Sequence, residues 1–133
     1  RSNMPILNVK LGANESPELS DTVASSLLEL TARILGKKPE VTSIAITYVD
    51  PDQWTIGGRS LTELGKSCVY FDIKITDETN TKEEKAQYIR ESFSLFEKLL
   101  GNLHNVSYIY VEDVRATAYG YGGLTQEYRY HHK

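Results

Sequence analysis

Few side chains in this 133-residue sequence have both the type and the setting for chemistry. The first is Pro5. It follows Met4 in what looks like a natural chain start, with Arg1-Ser2-Asn3 reading as a cloning scar. If Met4 is removed, the Pro5 nitrogen is a secondary amine. A free α-amine titrates at about 7.7–8. Burial and nearby cations lower that value by disfavouring the charged form, and an amine poised near neutrality is a general base. If residues 1–4 stay attached, the same nitrogen is a tertiary amide without a basic lone pair. The second candidate is Lys37, in the basic pair Lys37-Lys38. Arg59 and Arg115 are further cations, and a guanidinium can hold a carboxylate by two parallel bonds, although a surface salt bridge is the plainer use of each. Glu112 and Asp113 are adjacent, so only one can face a given pocket, and solvated strand-edge acids are the plainer reading. Tyr108 and Tyr110 are expected on opposite faces of one strand, where either packs against a sheet or lines a pocket.

Other chemistries find little support. Cys68 is the single cysteine, so it forms no internal disulfide and is expected as a small core residue. His104, His131 and His132 have no ligand spacing, and no metal or cofactor is expected. Gly120, Gly122 and Gly123 are not followed by a helix as a phosphate loop requires. Eighteen acidic against fifteen basic residues give a net charge of −3, with no global attraction to nucleic acid or an anionic membrane. No apolar run approaches the ~20 residues of a membrane span, and no secretory signal is read at the start. One unpaired cysteine fits a cytoplasmic setting.

The elements that must position these residues are legible in the spacing. Alternation over 5–11 predicts a strand. Ser16 then caps a helix with Pro17 in its first turn. Leu19, Val23, Leu27, Leu30 and Ile34 form its apolar face, and Gly36 stops it. Residues 41–49 read as a second strand, broken by Asp50-Pro51-Asp52. The pattern repeats: a strand over 68–76, a capping box at Thr81-Lys82-Glu83-Glu84, a helix with Ala86, Ile89, Phe93, Phe96 and Leu100 on its apolar face, a stop at Gly101, and a strand over 106–114. A shift of 65 superposes Leu35-Gly36, Val41, Ile44, Val49 and Gly57-Gly58 on Leu100-Gly101, Val106, Ile109, Val114 and Gly122-Gly123; a shift of 64 superposes Val9-Lys10-Leu11 on Ile73-Lys74-Ile75.

The prediction is an α/β (α+β) domain over 5–133, built from two β-α-β units (about 5–65 and 66–123) and a Tyr-rich C-terminal tail. Each unit pairs two parallel strands through a right-handed crossover helix. Together they give a four-stranded sheet with two helices on one face. The other face is left bare, which predicts self-association. Six of the nine tyrosines lie in residues 108–133, and the tail is expected as extra edge strands or as a segment crossing to a neighbour.

Met4-Pro5-Ile6-Leu7 resembles the opening of the tautomerase superfamily, whose mature chains begin with proline. Ile34-Leu35-Gly36-Lys37-Lys38-Pro39-Glu40-Val41, followed by an alternating strand and Gly57-Gly58-Arg59-Ser60, resembles the branch of macrophage migration inhibitory factor and D-dopachrome tautomerase. Tyr108-Ile109-Tyr110 sits where that branch has Tyr-Ile-Asn. The resemblance implies a homotrimer whose sheets form a central barrel, with active sites between subunits and no cofactor. It makes Pro5 the acid–base centre and Lys37 the group that binds a substrate carboxylate or carbonyl oxygen. Tyr108 then lines the pocket mouth of a neighbouring subunit. Tyr110 departs from this branch and is similar instead to a water-activating tyrosine of the cis-3-chloroacrylic acid dehalogenases, whose arginine pair finds no clear match here.

The reading that follows is a cofactor-independent keto–enol tautomerase of small 2-oxo acids such as phenylpyruvate. Pro5, Lys37 and Tyr108 are its catalytic residues, and Tyr110, Arg115 and Arg59 bind substrate. Two alternatives keep the fold: a dehalogenase or decarboxylase that uses a cationic Pro5, and a non-enzymatic, cytokine-like interaction protein.

Overall fold

The computed structural model describes residues 5–132; the reading of residues 1–4 as scar and initiator falls outside them. In chain order the elements are β1 (Ile6–Gly12), α1 (Pro17–Leu35), β2 (Ser43–Val49), β3 (Thr55–Ile56), β4 (Arg59–Ser60), α2 (Leu61–Leu64), β5 (Cys68–Thr76), α3 (Lys82–Leu100), β6 (Tyr108–Val114), β7 (Gly120–Tyr121), β8 (Leu124–Thr125) and α4 (Gln126–His131). Both long helices carry the caps that the sequence predicts. Ser16 accepts the Leu19 N–H, and Thr81 with Glu84 forms a complete capping box. Among the described residues, no helix is long and apolar enough to cross a membrane.

The sheet order is β2-β1-β5-β6. β1 runs parallel to β2, β5 runs parallel to β6, and the two pairs join through antiparallel β1 and β5. This is the expected tandem β-α-β arrangement. One sheet face is fully buried: Leu7, Val9 and Leu11 on β1, and Val69, Phe71, Ile73 and Ile75 on β5. Val23, Leu27, Leu30 and Ile34 of α1 close over it. Each such side chain contributes about 1.5–3 kcal/mol relative to exposure, so this layer supplies most of the favourable burial. Phe71 anchors the aromatic centre, with ring centroids 6.1 Å from Tyr88 and 6.0 Å from Phe96.

Three expectations need correction. The inner face of α3 is Tyr88, Ser92 and Phe96, while Ile89 is 39% exposed and Ala86 faces out. Tyr88 can be fully buried because its hydroxyl pairs with Thr31 Oγ1 at 2.8 Å, which removes the cost of burying a polar group. Tyr108 and Tyr110 share one face, both exposed, with half-buried Ile109 between them. Side chains alternate along a strand, so residues two apart lie on the same side. The outward sheet face, finally, is not an apolar surface. Register places three rows across it: Thr47, Lys10, Tyr70 and Tyr108; Ala45, Asn8, Asp72 and Tyr110; Ser43, Ile6, Lys74 and Glu112. Polar and charged groups interrupt its tyrosines.

The internal repeat continues past residue 123. The β3–β4 hairpin and α2 reappear as β7–β8 and α4. Gly57 and Gly58 have φ values of 61° and 82°, and Gly122 and Gly123 have 62° and 82°. The tyrosine-rich segment is therefore the second copy of a local hairpin-and-helix unit, and the expectation that no helix follows Gly120, Gly122 and Gly123 is corrected by α4, a short helix of six residues.

Candidate active site

Pro5 opens β1. It is buried, and its carbonyl accepts the Ser43 N–H at 3.1 Å. Ile6, next to it, lies opposite Ser43 on one side and Lys74 on the other. The start of β1, the start of β2 and the end of β5 thus meet at one end of the sheet.

Lys37 is delivered to this end by the stop of α1. Gly36 has φ 70°, a left-handed conformation that closes the helix and that glycine adopts without steric cost. The chain then turns inward, and Lys37 is only 3% exposed. Its Nζ donates to Thr79 Oγ1 at 3.0 Å, and the Thr79 hydroxyl donates to the Thr76 carbonyl at 2.6 Å, where β5 ends. Asn80 ties the same loop to the helix, donating to the Leu35 carbonyl at 2.9 Å. Lys38, by contrast, is exposed.

Tyr119 completes this end and was not among the sequence candidates. Its hydroxyl donates to the Lys74 carbonyl at 2.9 Å and receives the Ile6 N–H, one residue from Pro5. Burial pushes its pKa up to about 12, so the phenol stays protonated at neutral pH and fastens the start of β1 to the end of β5. A signal for it was present: the shift of 65 that aligns the glycine pairs also aligns Tyr119 with Trp54.

The remaining candidates separate. Arg115 leads into the Ala116–Ala118 turn and borders a cavity of about 240 Å³ with Thr76, Asp77, Glu78 and Glu127, beside the end of β5. Arg59 is exposed on β4, its Nε 3.5 Å from Glu63. Tyr108 is 63% exposed and Tyr110 52%. Tyr108 stands in the row of Lys10, at the end of β1 away from Pro5, and Tyr110 stands beside Asp72 in the middle of the sheet. Within one chain, then, Pro5, Lys37, Tyr119 and Arg115 gather at one end, while the two tyrosines present themselves outward along edge strand β6. Among the described residues, no cluster of three or more His, Cys, Asp or Glu side chains is arranged to hold a metal ion.

The chemistry of this end is that of a cation and a phenol beside a strand that opens with proline. Lys37 can hold negative charge on an oxygen. Pro5, when it is the first residue, can exchange a proton with a neighbouring carbon.

No family model matches the chain. A 61-residue stretch, 45% of the chain, is 33% identical to "Probable tautomerase K2" of Dickeya dadantii and covers 91% of that protein, so the relative is about as long as one repeat. The whole fold is similar to that of a fused 4-OT described as a wild type symmetric trimer, with 16% identity, 92% of this chain and 96% of that one covered, and a TM-score of 0.76. It is also similar to a macrophage migration inhibitory factor-like protein of Entamoeba histolytica, with 17% identity, 92% and 99% covered, and a TM-score of 0.73.

Proposed function

This chain belongs to the tautomerase superfamily, and from that premise we propose that it is a keto–enol tautomerase of small 2-oxo acids, with Pro5 as its acid–base centre. The observation that carries the reading is the buried Lys37, held by Thr79 at the end of the sheet where Pro5 begins β1.

In a chain that starts at Pro5, the neutral secondary amine takes a proton from the carbon next to the substrate carbonyl. The electron pair moves to the carbonyl oxygen, and the resulting enolate is stabilised by the Lys37 ammonium, which is already positioned when the charge develops. The proline then returns the proton to oxygen, giving the enol. Ketonisation runs the same steps backwards. Tyr119 holds the first residues of β1 in place without titrating near neutrality.

The working unit in this reading is a homotrimer. β2 and β6 are open edges of the sheet, which expose unpaired backbone groups to another chain, and the fused 4-OT of the same fold is described as a trimer. Tyr108 or Tyr110, exposed along β6, then walls the Pro5 pocket of a neighbouring subunit. Arg115 supplies a second cation for the substrate carboxylate.

The test is direct. A chain beginning at Pro5 is mixed with the enol of phenylpyruvate, and decay of the enol absorbance is followed. The proposal expects catalysed ketonisation and a large loss in Pro5→Ala. Equal rates for the two proteins would remove the mechanism.

A further inference from the structure

The two halves of the chain match at a shift of 64 along their first strands and of 65 along their helix ends. The second half therefore carries one residue more between strand and helix. The connections agree: residues 13–16 join β1 to α1, whereas residues 77–81 join β5 to α3. The longer connection holds Glu78, whose φ of 63° is the only positive value at a non-glycine residue among the described residues. A side chain disfavours that conformation, so the surroundings must hold it. Glu78 itself is exposed, and its neighbours do the holding.

Asp77 donates its N–H to the Val114 carbonyl of β6 at 2.8 Å. Asn80 Nδ2 donates to the Leu35 carbonyl, where α1 ends, at 2.9 Å and to Glu84 Oε1, in the capping box of α3, at 3.0 Å. The turn is thus fixed to three elements, and Thr79 stands between these anchors. Its hydroxyl proton goes to the Thr76 carbonyl at 2.6 Å, which leaves a lone pair to accept from Lys37 Nζ at 3.0 Å. The first half is built differently. The counterpart of Lys37 at the shift of 65 is Asn102, whose Oδ1 accepts the Ser67 hydroxyl and whose Nδ2 donates to the Gly65 carbonyl. The shorter connection supplies neither bond.

We propose that Thr79 is a positioning residue for Lys37, and that the strained turn at Glu78 aims its hydroxyl. An ammonium on a four-carbon stem is a flexible point charge with rotatable donors. With one N–H committed to Thr79, it keeps a single direction before negative charge develops on a substrate, and no reorientation is needed at that moment. All of these bonds lie within one chain, so the device does not depend on how subunits meet. Its part in the reaction rests on the tautomerase reading; the hold of Thr79 on Lys37 does not.

Two measurements on a chain that begins at Pro5 separate these parts. Nitrogen-15 NMR observes Lys37 Nζ directly. Its ammonium protons should exchange slowly with water in the parent and in Thr79→Ser. In Thr79→Val, which keeps the shape and removes the hydroxyl, the signal should be lost to exchange. Glu78→Gly takes the turn's φ without steric cost and should keep the signal, whereas Glu78→Val, branched at Cβ, should lose it. The second measurement is ketonisation of the enol of phenylpyruvate. Thr79→Val should lower kcat by about tenfold with KM little changed, as a small misplacement of a catalytic group does, and Thr79→Ser should stay within about twofold of the parent. In a Lys37→Gln background, Thr79→Val should cost nothing further, because it acts only through the lysine. A threonine that merely stabilises the fold would cost the same in both backgrounds. That result, an unchanged rate in Thr79→Val, or a Lys37 signal indifferent to it would overturn the assignment, and a signal that survives Glu78→Val would overturn the role of the turn. If the parent and Pro5→Ala ketonise the enol alike, the tautomerase reading falls and the NMR signal alone decides whether Thr79 holds Lys37.

Discussion

Trp54 and Tyr119 occupy the same position in the two halves of the molecule. The Trp54 carbonyl accepts the Leu61 N–H at 2.9 Å, and the Tyr119 carbonyl accepts the Gln126 N–H at 2.7 Å. Their side chains do opposite things. Tyr119 fills and fastens the end where Pro5 begins β1, whereas Trp54 lines an open cavity beside Lys10. A duplicated unit has thus been differentiated at its two ends.

The first prediction concerns Lys37. Lys37→Gln removes the cation but keeps a hydrogen-bonding side chain of similar length. In a chain that begins at Pro5, kcat/KM for enol ketonisation should fall by about 10²-fold, the order seen when one transition-state donor is removed. Far-UV circular dichroism should be unchanged. A purely structural lysine would instead lower thermal stability and spare the rate.

A second prediction concerns the buried pair Thr31 and Tyr88, whose hydroxyls lie 2.8 Å apart. Tyr88→Phe leaves the Thr31 hydroxyl without this partner and should cost about 1–3 kcal/mol. Thermal unfolding should drop by roughly 3–4 °C for each kcal/mol. Adding Thr31→Val removes the second polar group and should recover part of the loss, because removing both partners costs less than stranding one.

Alkaline stability follows from the same burial. The pKa values of Tyr88 and Tyr119 are raised, mainly because burial disfavours the phenolate, and Tyr119 reaches about 12. In the unfolded chain a tyrosine titrates at about 10. Between these values the folded state holds more protons than the unfolded state. The contribution is therefore complete below about pH 10 and is lost as the pH rises toward 12. Urea midpoints should fall through this window, and Tyr119→Phe should flatten the decline.

Gly12→Ala tests the seat of Trp54. The added methyl would meet Leu61 Cδ1 at 2.5 Å and Trp54 Cε3 at 2.8 Å. Overpacking of this kind costs about 1–3 kcal/mol, and the emission of Trp54 should move as its ring is displaced. An unshifted spectrum with unchanged stability would contradict this packing.

Much of this architecture is legible in the residues themselves. Ser16, Thr81, Gly36 and Gly101 mark the helix ends because caps depend on local chemistry. The 64- and 65-residue shifts carry the duplication. The inner face of α3 differs from the expected one because Tyr88 counts as polar until its partner Thr31, 57 residues away, is brought to it, while Ser92 is buried beside it with its hydroxyl unpaired. The role of Tyr119 is hidden in the sequence for a similar reason. Its partners, Lys74 and Ile6, are brought to it only by the closing of the sheet. Strand periodicity does place Tyr108 and Tyr110 on one face, and they point away from the core. Their proposed place at a Pro5 pocket draws on a second chain, which no pattern within one sequence specifies.

The central claim is that Pro5 acts as a base, and the most direct measurement is titration of its nitrogen. In a chain beginning at Pro5 with nitrogen-15 at that residue, NMR should show a pKa near about 6, and kcat/KM for ketonisation should rise through the same value as the amine becomes neutral. Retaining residues 1–4 should abolish both signals. A pKa near about 9, with activity carried by the cationic form, would contradict the account and point to acid chemistry at the same residue.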